Sequence, residues 1–365
     1  MLTDRRRLLG FALAGAAVCT LTRAAGGAAA GWRDVLDTPA LPSVLAPRAL
    51  VGGLARAGSR IVAVGQRGHV LWSDDEGRSW TQAQVPVSSD LVAVCFSDHQ
   101  RGWAVGHDGV VLHSADAGRS WTLQLDGRRS GALMVEHYEK RLAAGVTPAE
   151  ELKRIEAALA EARRFAEQGA ENPLLDVWFE SPSTGFVVGA FGQVLRTTDG
   201  GAHWEPWLHA VDNPKGLHLY AVAAVGDALF IVGEQGLALR LDREKSQFRA
   251  IELPYKGTLF GLTGNERALV AHGLRGSLLR STDGGTNWAV VPSGLQVGLT
   301  ASTRGEDGTL FVVSQAGHVL ASRDDGASFR PVPQQRPQPT AAVVASGKSA
   351  LVLGGPRGIQ GIALP

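Results

Sequence analysis

Seven glycines set the architecture of this chain. They stand at Gly68, Gly109, Gly192, Gly236, Gly276, Gly317 and Gly358, in steps of 41, 83, 44, 40, 41 and 41. Most close a Gly-x-x-Gly turn between two short apolar runs, where a hairpin needs residues that tolerate positive φ. A second turn follows in five copies: Ser73-x-Asp75-x-Gly77-x-x-Trp80, Ser114-x-Asp116-x-Gly118-x-x-Trp121, Thr197-x-Asp199-x-Gly201-x-x-Trp204, Ser281-x-Asp283-x-Gly285-x-x-Trp288 and Ser322-x-Asp324-x-Gly326-x-x-Phe329. In it the carboxylate and hydroxyl can accept backbone N–H bonds, and the aromatic opens the next strand. A period of roughly 40–45 residues with four strands per unit is the signature of a propeller blade. The long step is one period plus an insertion. The chain is therefore expected to be an all-β, seven-bladed β-propeller of four-stranded blades.

Blade 2 shows the expected strands most clearly, at 91–96, 102–106, 110–114 and 120–125. Blade 4 keeps Gly233-Glu234-Gln235-Gly236 but has lost its aspartate turn, and Phe248 still supplies the aromatic. The last blade offers strands near 340–344, 350–353 and 359–364 and then runs out of chain. Gly31-Trp32-Arg33-Asp34-Val35 matches the outer-strand pattern of Ser79–Ala83. Residues 32–36 are therefore predicted to pair with 359–364 and close the ring, with Trp32 as the seventh interblade aromatic. Such closure would remove an exposed sheet edge.

Residues 1–30 read as a targeting segment. Arg5-Arg6-Arg7-Leu8-Leu9 precedes an apolar run from Gly10 to Leu21, and Ala28-Ala29-Ala30 ends it in small residues. This is the pattern of a cleaved secretory signal, with the arginine pair favouring twin-arginine export over the general route. A periplasmic location is expected, with cleavage near Ala30. Cleavage would remove four arginines and one aspartate, taking the formal net charge from +1 to −2. That balance gives no reason to expect nucleic acid. Only Cys95 would remain, so no internal disulfide can form, and packing must hold the fold.

Residues 126–172 interrupt the repeat between blades 2 and 3. Thr147-Pro148-Ala149-Glu150 reads as a capping box with proline at the first helical position. Leu152, Ile155, Leu159, Ala162 and Ala166 share one helical face beside Phe165, and Glu150 can pair with Arg154. The helix should stop near Gln168-Gly169, and a shorter one around 132–143 should precede it. In a four-stranded meander the blade-to-blade link lies on the same face as the second-to-third strand turn. The insertion and the Gly-x-x-Gly turns therefore share one surface, opposite the aspartate turns.

The repeated Val-Gly-x-x-Gly-x-x-Leu-Arg-x-Thr-Asp-Gly-Gly-x-x-Trp pattern of Val188–Trp204 resembles the photosystem II assembly and stability factor family of plastids and cyanobacteria, and bacterial relatives with the same Asp-box (BNR) repeat. The resemblance spans about Gly31 to Pro365. It implies a seven-bladed, non-catalytic propeller that binds membrane-protein assembly intermediates. The stretches Tyr138-Glu139-Lys140-Arg141-Leu142 and Asn172–Phe179 resemble a proteobacterial branch, often found without photosynthesis and encoded beside resistance-nodulation-division type transporters. The family's arginine-rich surface has its nearest matches here in Arg196, Arg240 and Arg280, each following a leucine in the third strand; the other blades carry Trp72, His113 and Ala321 there.

The expected partner-binding surface thus comprises Arg67, Phe191, Gln235, Arg275 and Arg357 at the hairpin tips, Arg196, Arg240 and Arg280, and Tyr138 and Arg141 in the insertion. The expected partner is a membrane protein complex or assembly intermediate, met by a monomer, with no small-molecule substrate and no cofactor. The rival reading is an Asp-box glycoside hydrolase of the sialidase kind or a carbohydrate-binding propeller. A sialidase needs six blades, an arginine triad and a tyrosine nucleophile, whereas this chain has seven units, no Arg-Ile-Pro and only Tyr138, Tyr220 and Tyr255. A hydrolytic carboxylate pair would have to come from groups such as Asp108 and Glu234. His69 and His318 follow hairpin glycines two blades apart, without ligand spacing, and read as turn or packing residues rather than metal ligands.

Overall fold

The computed structural model describes residues 33–364. Each blade forms because apolar residues alternate with small ones over four to seven positions and a turn follows at once. Blade 2 has strands Leu91–Phe96, Gly102–Gly106, Val111–Ser114 and Thr122–Leu125, paired antiparallel in chain order. Six sheets have four strands in this order, and a seventh has three. Second strands such as Gly185–Gly189 are buried along their whole length, because blades cover both faces.

The innermost strands of all seven blades line one central channel. Gly53, Val92, Leu175, Tyr220, Phe260, Thr300 and Ala342 each come from a different blade. Blades pack through apolar interfaces, and the aromatic that opens the fourth strand sits against the preceding blade. Trp121 belongs to the core of blades 1 and 2, Trp204 to that of blades 2 and 3, and Phe248 to that of blades 3 and 4.

The aspartate turns form as the motif requires. In the first, Gly77 N donates to Ser73 Oγ at 2.8 Å, and Ser79 N donates to Asp75 Oδ1 at 2.8 Å. Ser79 Oγ donates to the other carboxylate oxygen at 2.6 Å, and Trp80 Nε1 donates to Gly77 O at 3.0 Å. Bonds from Ser79 and Ser73 hold the Asp75 carboxyl well below the usual carboxylate range.

The ring closes differently from the sequence expectation. Among the described residues no strand pairs with the outer edge of Gly358–Ala363, so the described part of blade 7 has three strands. Residues of the expected closing strand turn instead. Asp34 Oδ1 accepts from Leu36 N at 2.9 Å and starts a 3₁₀ turn over Val35–Asp37. Leu36 is buried in the core of blades 1 and 2, and Ser88 N donates to Val35 O at 2.9 Å. Burying Leu36 there offers more than a solvent-exposed edge pairing would. Trp32 lies outside the described residues, as do residues 1–30. Blades 1 and 7 join through side chains: Trp80 packs on Val344 and Val352, Arg56 Nη1 donates to Ala345 O at 3.1 Å, and Ser346 Oγ donates to Glu76 O at 3.1 Å.

Between blades 2 and 3 stand two helices, α1 (Gly127–Ala143) and α2 (Ala149–Gln168). The first begins five residues earlier than expected, because Asp126 Oδ1 caps it through Arg128 N at 3.0 Å. The capping box of α2 does not form: Pro148 is the cap residue, with no side-chain cap bond. The expected stop at Gly169 is present, with φ of 66°.

Candidate partner-binding groove on the insertion rim

Five of the second-to-third strand turns place a non-glycine residue and then glycine in the left-handed region. Arg67 (φ 57°) and Gly68 (φ 68°) are the first such pair. His69 N donates back to Gln66 O at 3.1 Å, which makes a tight hairpin of type I′ geometry. Asp108, Phe191, Gln235 and Arg275 take the same position in their blades. These turns share a face with the insertion. A Cβ on Gly109 would stand 3.0 Å from Gly127 at the start of α1, and one on Gly127 would stand 2.9 Å from Asp108 O. The two helices also approach closely. A Cβ on Gly131 would lie 2.5 Å from the Cα of Ala166.

The helices dock on blade 3 and on the link to blade 4 through His209. Arg141 donates to His209 Nε2, so Nε2 is the acceptor and Nδ1 carries the proton toward the Tyr138 oxygen at 3.3 Å. Burial and then the charge of Arg141 lower the His209 pKa to about 3, which keeps the ring neutral. Arg141 Nη2 also donates to Glu151 at 2.7 Å. The expected Glu150–Arg154 pair is absent among the described ion pairs. Arg154 instead reaches across to blade 4 and donates to Gln247 Oε1 at 3.3 Å.

This docking leaves a groove of about 670 Å³ between α2 and the outer strands of blades 3 and 4. Arg141, Arg154, Arg196, Lys245 and Arg249 line it, against Glu150, Glu151 and Glu205. Arg196 lies with its guanidinium 4.9 Å from the centre of the buried Trp207 ring, and its Nε has no partner. A planar cation stacked on an aromatic suits a carboxylate.

The residues expected from sequence separate into distinct groups. Arg67, Phe191, Gln235, Arg275 and Arg357 are exposed at turn tips on five different blades. Only Phe191 meets the insertion, beneath Arg164 at 4.7 Å, and its N–H donates to His218 Nδ1 at 2.8 Å. Arg196 and Arg141 come together in the groove. Arg240 and Arg280 do not join them, because each third-strand residue faces the boundary of its own blade. Arg280 Nε donates to Asp325 O of blade 6 at 2.7 Å, and Arg240 is exposed beside Phe230. Tyr138 is fully buried, which removes it from any contact surface. His209 was missed in the sequence because it falls in an irregular link, outside the repeat.

The carboxylates weighed for hydrolysis sit on hairpins of blades 2 and 4, and Glu234 Oε2 is engaged by His218 N at 2.9 Å. Among the described residues no three His, Cys, Asp or Glu side chains cluster as metal ligands. His318 Nδ1 bonds Ser314 Oγ at 2.9 Å, a turn role. Cys95 is a free thiol whose pKa burial pushes up. Among the described residues no helix is long and apolar enough to cross a membrane.

Comparison with known proteins fits this architecture. The family model described as Photosynthesis system II assembly factor YCF48 matches residues 55–141 and 156–341. The chain is 28% identical over 168 residues to the photosystem II assembly lipoprotein Ycf48 of Synechococcus sp. (strain CC9902), covering 45% of this chain and 50% of that protein. It is 32% identical over 166 residues to its counterpart in Trichormus variabilis, covering 43% and 47%. The chain thus spans about half the length of the curated relatives it matches. Among solved structures, YCF48 bound to D1 peptide superposes with a TM-score of 0.61 at 14% identity, covering 87% of this chain and 94% of that one. YCF48 from Cyanidioschyzon merolae gives 0.60 at 16% identity, covering 89% and 97%. The chain belongs to the YCF48 family of photosynthesis system II assembly factors.

Proposed function

We propose that this chain is an exported, non-catalytic propeller that binds a subunit or assembly intermediate of a membrane protein complex through the insertion-rim groove. The observation that carries the reading is the groove itself, where five basic side chains face three acidic ones and Arg196 stacks on Trp207. An acidic segment of a partner fits that chemistry. Within this family a solved relative is described as bound to D1 peptide, which supports a protein ligand. The partner would be a photosystem in a phototroph, or a resistance-nodulation-division type transporter in the proteobacterial branch. Residues 142–155 fall between the two stretches matched by the family model, and they include Glu151 and Arg154 of the groove. A groove built partly from such residues favours a partner particular to this branch. Export to the periplasm rests on the arginine-led segment at 5–30.

The double variant Arg154→Glu and Arg249→Glu tests this reading. Both side chains lie on the groove wall without ion pairs among the described residues, so the fold should be kept. Co-purification of an integral membrane protein from solubilised membranes is expected to fall by roughly ten-fold or more. Undiminished recovery would remove the groove from the binding surface.

A further inference from the structure

Among the described residues blade 7 is incomplete in two coupled ways. Its third strand, Gly358–Ala363, is an open edge among the described residues. Gly355 pairs with Gly358 across the hairpin, and Leu364 N donates to Ser349 O at 2.7 Å. Antiparallel alternation then turns the N–H and C=O groups of Gly361 and Ala363 outward, and both residues are exposed. Open edges of this kind accept an added strand.

The second deficit lies beside it. Six interblade cores each hold the aromatic that opens the later blade's fourth strand: Trp80, Trp121, Trp204, Phe248, Trp288 and Phe329. Among the described residues the core between blades 6 and 7 has none, and its one aromatic, Phe311, belongs to blade 6's own second strand. The third-strand position that holds Trp72, His113, Arg196, Arg240 or Arg280 elsewhere holds only Ala321 here. A cavity of about 420 Å³ results, walled by Phe311, Ala321, Val332, Ala345 and Leu364. Its mouth carries Arg323, Arg330 and Lys348, none of which forms an ion pair among the described residues. Two carboxylates share that lining, Asp324 accepting from Ser322 and Ser328 and Asp307 from Thr309, and the three cations outnumber them.

We propose that blade 7 takes an extended acidic segment of a partner protein as its fourth strand, with one aromatic side chain of that segment seated in the cavity between blades 6 and 7. Backbone pairing along Gly361 and Ala363 sets the register. The aromatic repeats the packing found at the other six junctions, and the three cations select acidic flanks. This surface is separate from the insertion-rim groove and stands without it.

The probe is a fluorescein-labelled peptide of residues 79–85 carrying Gln82→Glu and Gln84→Glu, an acidic copy of the blade 1 outer strand. Saturable anisotropy with the full chain is expected. Trp80→Ala in the peptide should weaken binding by about ten-fold or more. Gly361→Pro in the protein should do the same, since it removes the outward N–H while a Cβ there meets nothing within 4 Å. Ala321→Trp should also block binding by filling the cavity, and blade 1 carries Trp72 at that position without harm. Thermal melts of both variants confirm folding. No saturable binding to the full chain, or binding unchanged in both folded variants, overturns the proposal. Binding seen only after removal of residues 1–32 also overturns it, since the chain's own segment would then hold the edge.

Discussion

Replacing Phe248 by alanine is expected to cost about 3–5 kcal/mol of folding stability, the range for deleting a fully buried phenylalanine. Its side chain is 0% exposed. It meets Phe186 edge-on at 5.5 Å and Trp207 at 6.3 Å, so the ring is clamped between blades 3 and 4. Such edge-on contacts add to the area term. Its backbone matters as well, because Asp212 N donates to Phe248 O at 2.9 Å and ties the interblade link to the outer strand. Blade 4 has lost the aspartate turn, so the aromatic carries more of the anchoring of this outer strand to its neighbour than in the other blades. The matched variant Phe329→Ala removes a half-buried ring whose blade keeps its aspartate turn, and should cost less than half as much. Urea unfolding of both variants checks the order. A Phe248→Ala loss below about 1 kcal/mol would contradict the role given to interblade aromatics.

The second large effect lies in the central channel. At the innermost-strand position where other blades have Gly53, Ala93, Ala221, Gly261 and Ala301, blade 3 has Asp176. Its carboxylate accepts from Val177 N at 2.9 Å and from Val222 N of blade 4 at 2.8 Å. Burial outweighs these two bonds and pushes its pKa up to about 7. The unfolded chain would release this proton near 3.8. The folded state therefore holds a proton that the unfolded state has lost, and stability from this group falls as pH rises from about 4 to 7. His272 and His209 act in the opposite sense. Burial lowers them to about 4 and about 3, so their contribution is present above pH 6.5 and is lost as pH falls below it. The net slope of the wild-type chain mixes these effects, but the difference between wild type and Asp176→Asn isolates the carboxylate. The stability of Asp176→Asn relative to wild type is expected to improve by roughly 2–4 kcal/mol between pH 4.5 and 8. A difference that stays constant across that range would show that Asp176 is not held protonated.

Much of the fold was legible because repetition multiplies weak signals. One hairpin glycine says little, but seven in register fix the blade count, and the strands of blade 2 fall within two residues of their expected ends. Residues outside the repeat were harder to read. Asp34 and Leu36 matched an outer-strand pattern, yet a capped turn and one buried leucine decided their place. Tyr138 read as a surface residue because helix α1 has no partner until α2 and blade 3 are in position. Asp176 and His272 carry a signal that the sequence does contain. Each breaks a column of small or aliphatic residues, and Gly261 leaves room for the His272 ring, since a Cβ there would lie 2.5 Å from Nε2. Lining up the repeats position by position would have exposed both. The groove is different in kind: Arg141, Arg154, Arg196 and Trp207 come from two helices and a blade, and only the folded chain brings them together.

Site-specific photocrosslinking tests the central claim of insertion-rim docking most directly. A photoreactive residue placed at Arg154, in the groove, is compared with one at Arg78, in an aspartate turn on the opposite face. The expected result is an adduct with an integral membrane protein from position 154 and none from position 78. Equal adducts from both positions, or an adduct from position 78 alone, would contradict it.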